Sequence, residues 1–241
     1  ISTMSLPSAE IAKLAVNTFV TTKISFANML GELCGALPGA DIDHVTRALG
    51  ADRRIGSLYM SAALGFGGPC FPRDNVALAA SARGRGIRAD IADATQGINS
   101  RQVQRFRQMV LSRIRPGAPV SILGLAYKSG TPVLEESQAY QLAMEFVSSG
   151  HPVFSYDPLV AEFGDIEKIQ GLTMVDSPSE LRDGEVLVVA DPSMSAEARE
   201  VAAGFEIVLD LWNVMPAGPN IHRPGRSSGS HHEAVLEEPG D

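Results

Sequence analysis

The stretch LGFGGPCFPRDN, Leu64 to Asn75, gathers three glycines and two prolines around one of the chain's two cysteines. Gly65, Gly67 and Gly68 can take positive φ or let the backbone come close to a ligand. Pro72 suits the first turn of a helix. Cys70 is therefore expected at a helix N-terminus, where the dipole and free N–H groups favour thiolate over thiol. Asp74 follows four residues later, on the same face once the helix has begun. A nucleophilic cysteine beside a carboxylate suits covalent chemistry on a carbonyl carbon. A free cysteine is also commonly a small buried apolar residue, and Cys34 in GELCGAL reads that way. A cysteine hydrolase would need a histidine base. His44, the one histidine upstream of Cys70, carries no motif.

Helices must position these groups. SAEIAKLAVNTFVTTKISFANMLGELC spaces Ile11, Leu14, Ala15, Thr18, Thr22, Phe26, Leu30 and Leu33 largely by threes and fours, one face of a helix. Pro7 and Glu10 favour its start. The predicted helix far exceeds the average of about 11–12 residues, as helices that pack between domains or subunits often do. Lys13 and Asn17, four apart, share a face of it; by themselves they read as an exposed polar stripe. ADIDHVTRALG predicts a short helix opened by Asp41 or Asp43 and closed by Gly50. PRDNVALAASARG and ADATQGINSRQVQRFRQMVLSRIR predict two more, with Arg101, Arg105 and Arg107 as a solvated face.

At Pro116-Gly117 the pattern changes. APVSILGLAY, HPVFSYDP, GLTMVDS, EVLVVAD and FEIVLD read as strands, alternating with helices over EESQAYQLAMEFVSSG, near Ser179 and near Ala196. That alternation predicts a parallel sheet with crossover helices. Lys128 follows the first of these strands, in a loop where open α/β sheets bind ligands. The expected fold is thus α plus α/β: a helical domain over residues 1–115 with a long first helix, then a Rossmann-like parallel-sheet domain over 116–222. Residues 223–241 are polar and aperiodic, and read as a disordered tail.

Composition excludes several classes. The 241 residues are 44% hydrophobic and 20% charged, ordinary for a globular chain, and carry a net charge of −8, a poor basis for holding nucleic acid. No apolar run approaches the roughly 20 residues of a membrane span. Two cysteines in unlike contexts make no disulfide framework, which suits a reduced, cytoplasmic protein. His231 and His232 lack further ligands for a metal site, and none is expected.

GFGGPCFPRD closely resembles the catalytic-cysteine motif of the UDP-glucose/GDP-mannose dehydrogenase family, enzymes that oxidise the primary alcohol of a nucleotide sugar to a carboxylate. AEIAKLAVN resembles the family's central helix, whose lysine and asparagine fall on Lys13 and Asn17. DRRIG resembles the segment whose arginine, here Arg54, reaches a substrate in the neighbouring subunit. LGLAYKSGT resembles the start of its nucleotide-binding third domain, with a sugar-contacting lysine at Lys128.

The resemblance implies NAD as cofactor and a UDP-linked sugar as substrate. It implies a homodimer on the long first helix, while charge and hydropathy point to no membrane or nucleic-acid partner. Cys70, Lys13, Asn17 and Asp74 would be catalytic. Arg54, Tyr59, Gly67, Gly68 and Lys128 would hold substrate, and Arg73, in place of a common lysine, would face the cofactor. Cys70 would form a thiohemiacetal and then a thioester, with Lys13 and Asn17 donating to the oxyanion and Asp74 handling protons or water. The family's NAD-binding domain precedes the long helix, and no G-x-G-x-x-G opens this sequence. The implied activity therefore needs that domain, the alternative being a non-catalytic nucleotide-sugar-binding and dimerisation module. Glu135 stands where the family often has an arginine facing the cofactor, a reversal of charge.

Overall fold

The computed structural model describes residues 3–164, 170–181 and 184–226. Helix α1 runs Leu6–Ala36, opened by the Ser5 side chain accepting from the Ser8 N–H and by Pro7 in the first turn. Helix α2, Ile42–Ala51, is capped by Asp41, which accepts from the N–H groups of Asp43 and His44. Helices α3, Phe71–Arg83, and α4, Asp90–Leu111, complete the helical region. Both α3 and α4 pack along α1.

The face that α1 buries is not the apolar one. Thr18, Thr21, Ser25, Asn28, Gly31 and Cys34 point inward, while Ile11, Phe26 and Leu33, expected inside, are 58%, 43% and 54% exposed. Val16 and Phe19 are exposed too. Short polar side chains let α3 and α4 come close, and most find a partner, although among the described residues the Thr18 hydroxyl and the Asn28 amide nitrogen are buried without one. Thr21 Oγ1 meets Asn75 Oδ1 at 3.1 Å, Ser25 donates to the Thr95 carbonyl at 2.9 Å, and Asn28 Oδ1 accepts from the Ala63 N–H at 2.9 Å. Hydrogen bonding thus repays most of the burial of this face.

Strands β1 (Val120–Leu123), β2 (Val153–Tyr156), β3 (Leu172–Met174), β4 (Gly184–Val189), β5 (Phe205–Asp210) and β6 (Ile221–His222) form one sheet in the order β3-β2-β1-β4-β5-β6. Every pairing is parallel. Helix α5, Gln138–Ser148, and the short α6, Pro158–Phe163, and α7, Ser195–Val201, lie between strands. The predicted helix near Ser179 is one 3₁₀ turn, Pro178–Glu180. The two-residue β6 and the six-residue α6 escaped the sequence reading, being too short to show a period. Val120, Ile122, Leu142, Phe146 and Val188 are fully buried at the heart of the larger apolar core.

The two regions are stitched together. Arg115 pairs with Glu185, and Arg107 with Ser149 and Glu145. Arg105 is half-buried against Gln102, so Arg105 and Arg107 are not the solvated face that their spacing suggests. Residues 223–226, assigned from sequence to a disordered tail, instead fold back on α2. The Gly225 carbonyl accepts from the Ile42 N–H at 3.1 Å, and the Arg226 guanidinium pairs with Asp43. The rest of that segment, with His231 and His232, lies outside the described residues. Among the described residues, no helix is long and apolar enough to cross a membrane, and no three ligating side chains cluster as a metal site.

Candidate active site

Cys70 is the N-cap of α3, with its side chain exposed to solvent. Its carbonyl accepts from the Asp74 N–H at 2.9 Å, which closes the first turn and sets Asp74 one turn below the thiol. The Arg73 guanidinium lies 3.9 Å from the sulfur. Asp74 itself is buried, and both polar residues predicted on α1 meet it. Lys13 Nζ and Asn17 Nδ2 donate to the same oxygen, Oδ2, with the asparagine at 2.5 Å. Arg73 Nε lies 3.5 Å from the other oxygen. Burial pushes the Asp74 carboxyl up, but the hydrogen bonds from Lys13 and Asn17 and the nearby Lys13 and Arg73 charges outweigh it and hold the group below its ordinary value. The sequence expectation aimed Lys13 and Asn17 at a substrate oxygen; here both are turned to Asp74.

The glycine loop that leads into Cys70 is held from two sides. Asn99 of α4 pairs with the Phe66 backbone in both directions, accepting its N–H at 2.8 Å and donating to its carbonyl at 2.9 Å. Gln138, first residue of α5, accepts the Gly65 N–H at 2.6 Å and donates to the Asn99 carbonyl at 2.9 Å. Gly68 donates to the Glu135 carbonyl at 3.1 Å. At Gly67 an added methyl would collide with the Glu136 carbonyl, and at Gly68, whose φ is +77°, with the Tyr127 ring. The glycines therefore bring the cysteine loop against the sheet region. The backbone of Glu135 takes part in that docking, while its side chain is exposed.

A cleft of about 290 Å³ opens beside this loop at the carboxyl ends of β1, β4 and β5. This is where the strand order reverses, the usual ligand site of such sheets. Lys128, Asp191 and Trp212 line it, together with Gly65 and Gln138.

Residues 7–101 match the central domain of the UDP-glucose/GDP-mannose dehydrogenase family, and residues 121–217 match that family's UDP binding domain. The chain belongs to this family. It is 34% identical to a UDP-glucose 6-dehydrogenase of Rickettsia bellii over 223 residues, 88% of this chain and 51% of the relative. Identity is 38% over 155 residues to UDP-glucose 6-dehydrogenase AglM of Haloferax volcanii, 64% of this chain and 36% of the relative. A UDP-glucose dehydrogenase structure from Pyrobaculum islandicum superposes with a TM-score of 0.75 at 31% identity, covering 88% of this chain and 49% of the other. The chain thus spans about half or less of the length of these relatives.

Of the remaining predicted residues of this dehydrogenase-family chain, Tyr59 and Lys128 lie beside the cysteine loop. Tyr59 takes a left-handed backbone, φ 62°, and is half-exposed with its ring edge-on to Phe71 at 6.4 Å. Lys128 is exposed, its ammonium 5.5 Å from the Tyr127 ring centre. Arg54 makes no hydrogen bond or ion pair with the described residues of the cysteine loop. Its side chain is 88% exposed and pairs only with Asp52 of the same turn. Sequence reasoning missed Asn99, Gln138, Asp191 and Trp212. For Asp191 and Trp212 a signal existed, since each follows the carboxyl end of a strand. Asn99 and Gln138 carry no local sign of a loop more than thirty residues away.

Proposed function

We propose that this chain is the central and substrate-binding portion of an NAD-dependent nucleotide-sugar 6-dehydrogenase acting on a UDP-glucose-like substrate. The observation that carries the reading is the Asp74 carboxylate, which gathers Lys13 and Asn17 from α1 one turn below the exposed Cys70. NAD, when bound, supplies the acceptor for the hydride. Few of the described residues fit it. Arg73, exposed beside the sulfur, would face its charged part. The loop after β1 is no pyrophosphate cradle, because the Leu125 and Ala126 N–H groups donate to the buried Asp157 carboxylate at 2.9 and 3.1 Å.

The chain's own residues divide the work. Once the sugar alcohol is oxidised to the aldehyde, the Cys70 sulfur adds to C6 to give a thiohemiacetal. Lys13 and Asn17, preorganised on Asp74, stabilise its oxygen. After the second oxidation the thioester carbon is attacked by water, which Asp74 orients; the acid leaves and Cys70 regains its proton. Lys128 holds the diphosphate or sugar end from the cleft.

The apolar stripe on α1, with Val16, Phe19, Phe26 and Leu33 exposed, supports a homodimer built on this helix. Arg54, free of its own site, then serves the neighbour's. A non-catalytic binding module is the second reading. It draws on the turning of Lys13 and Asn17 toward Asp74 and on the exposed Glu135.

Calorimetry with UDP-glucose and GDP-mannose tests both readings, and failure to bind either sugar nucleotide would sink both. NADH formation after addition of a separately expressed NAD-binding domain divides them. Activity that disappears in Cys70→Ser supports the enzyme, and silence of the unaltered chain supports the module.

A further inference from the structure

One cation interrupts the apolar stripe of α1. Lys23 stands four residues after Phe19 and three before Phe26, both exposed, and so shares their side of the helix. It is half-buried, and its Nζ donates to the carbonyls of Ile55 and Gly56, at 3.1 Å each. Two carbonyls converging on one ammonium make a charge-assisted clasp between α1 and a loop more than thirty residues away.

The clasped residues close the turn that carries Arg54. The Ile55 and Gly56 N–H groups both donate to the Asp52 carbonyl at 2.9 Å, and Gly56 takes φ +73°. The Asp52 carboxylate accepts from the Arg54 N–H at 2.9 Å and from Nε and Nη2 of its guanidinium, which gives that exposed side chain a direction. From the other side, α2 confines the loop: a methyl added at Gly50 would meet the Ser57 backbone at 2.9 Å. Arg54 is therefore held from two helices, with no side-chain partner beyond Asp52 among the described residues. Resting on the proposed function, in which Arg54 serves the neighbour's site across α1, we infer that Lys23 is a positioning residue. It fastens the Arg54 turn to the helix face that pairs, so association delivers the guanidinium to the sugar nucleotide bound by the other protomer. Lys23 touches no ligand and acts through Arg54 alone.

The direction of its action separates this role from a purely structural one. Lys23→Met keeps the apolar stem and removes both hydrogen bonds. UDP-glucose affinity, measured by calorimetry on a chain shown to be dimeric by sedimentation, should fall about 5- to 150-fold. Lys23→Arg, which still donates, should restore most of it. In an Arg54→Ala background Lys23→Met should add no further loss. Lys128→Glu disables its own cleft yet keeps its Arg54 turn. Mixing it with Lys23→Met, and letting subunits exchange, should return wild-type affinity to about a quarter of the chains, since half of the dimers are mixed and each holds one intact site. A mixture without tight sites places the effect of Lys23 within its own chain and overturns the inference, as does wild-type affinity in Lys23→Met. Gly50→Ala repeats the test without altering α1. Alanine suits the α2 helix but its methyl displaces Ser57, so the same loss and the same rescue by mixing are expected; a loss that mixing leaves uncured counts against Lys23 equally. A wild-type chain that binds UDP-glucose as a monomer overturns the inference and leaves the proposed chemistry standing. One that binds no sugar nucleotide overturns both.

Discussion

The helical and sheet regions are built on opposite rules. The sheet buries Val120, Ile122, Leu187 and Val188 completely, and at its strand ends Asp157, Asp191 and Asp210 pin loops. The helical region buries threonine, serine and asparagine on α1 and leaves phenylalanine and valine outside. The sheet is held by area removed from water, whereas α1 is held by close approach and directed hydrogen bonds. A helix that spends its polar side inward keeps its apolar side for another surface. It can also hand Lys13 and Asn17 to a neighbouring helix at a defined position.

The comparison breaks most visibly at the sheet core. Leu187→Ala should cost about 2–5 kcal/mol in urea unfolding, through lost burial and a cavity. An equally buried position on α1 should respond to hydrogen bonding instead. Asn28→Leu strands the Ala63 N–H and should cost about 1–3 kcal/mol despite the added hydrocarbon. A stabilised Asn28→Leu would show that the polar face is incidental.

Asp74→Asn addresses the junction between α1 and α3. Because the native carboxyl is held below its ordinary value of 3.8, its contribution is complete above that value and is lost as pH falls through the lowered one. At neutral pH the loss in Asp74→Asn should be about 1 kcal/mol. Lys13, 56% exposed, is partly screened by water. The gap between wild type and variant should narrow as pH falls through the ordinary carboxylate range and below it. A gap constant across that range would remove Asp74 from the acid limb of the stability curve. Phe19→Glu should change folding stability by less than about 0.5 kcal/mol, since the side chain is exposed. It should nevertheless abolish self-association in sedimentation; a dimer that survives it would place the interface elsewhere.

Much of this arrangement was legible in the residues. The glycines and Pro72 announced a turn into a helix, and Cys70 caps α3 with Asp74 one turn on. Five apolar runs became five parallel strands, because strand periodicity and crossover helices are local signals. The face of α1 was misjudged, since spacing alone does not say whether an apolar stripe meets its own core or another surface. Single-residue partnerships were equally hidden. Nothing near Asn99 or Gln138 reveals that they grip the glycine loop.

By itself, then, the chain determined its elements, their order, and which side chains had chemistry to offer, all matters of dihedral preference and period. Tertiary structure decided which of them meet. It turned Lys13 and Asn17 onto a buried carboxylate, set Trp212 in the cleft wall, and folded Arg226 back on Asp43. Those contacts join residues separated by tens to nearly two hundred positions. Their energies arise only once packing excludes water between them.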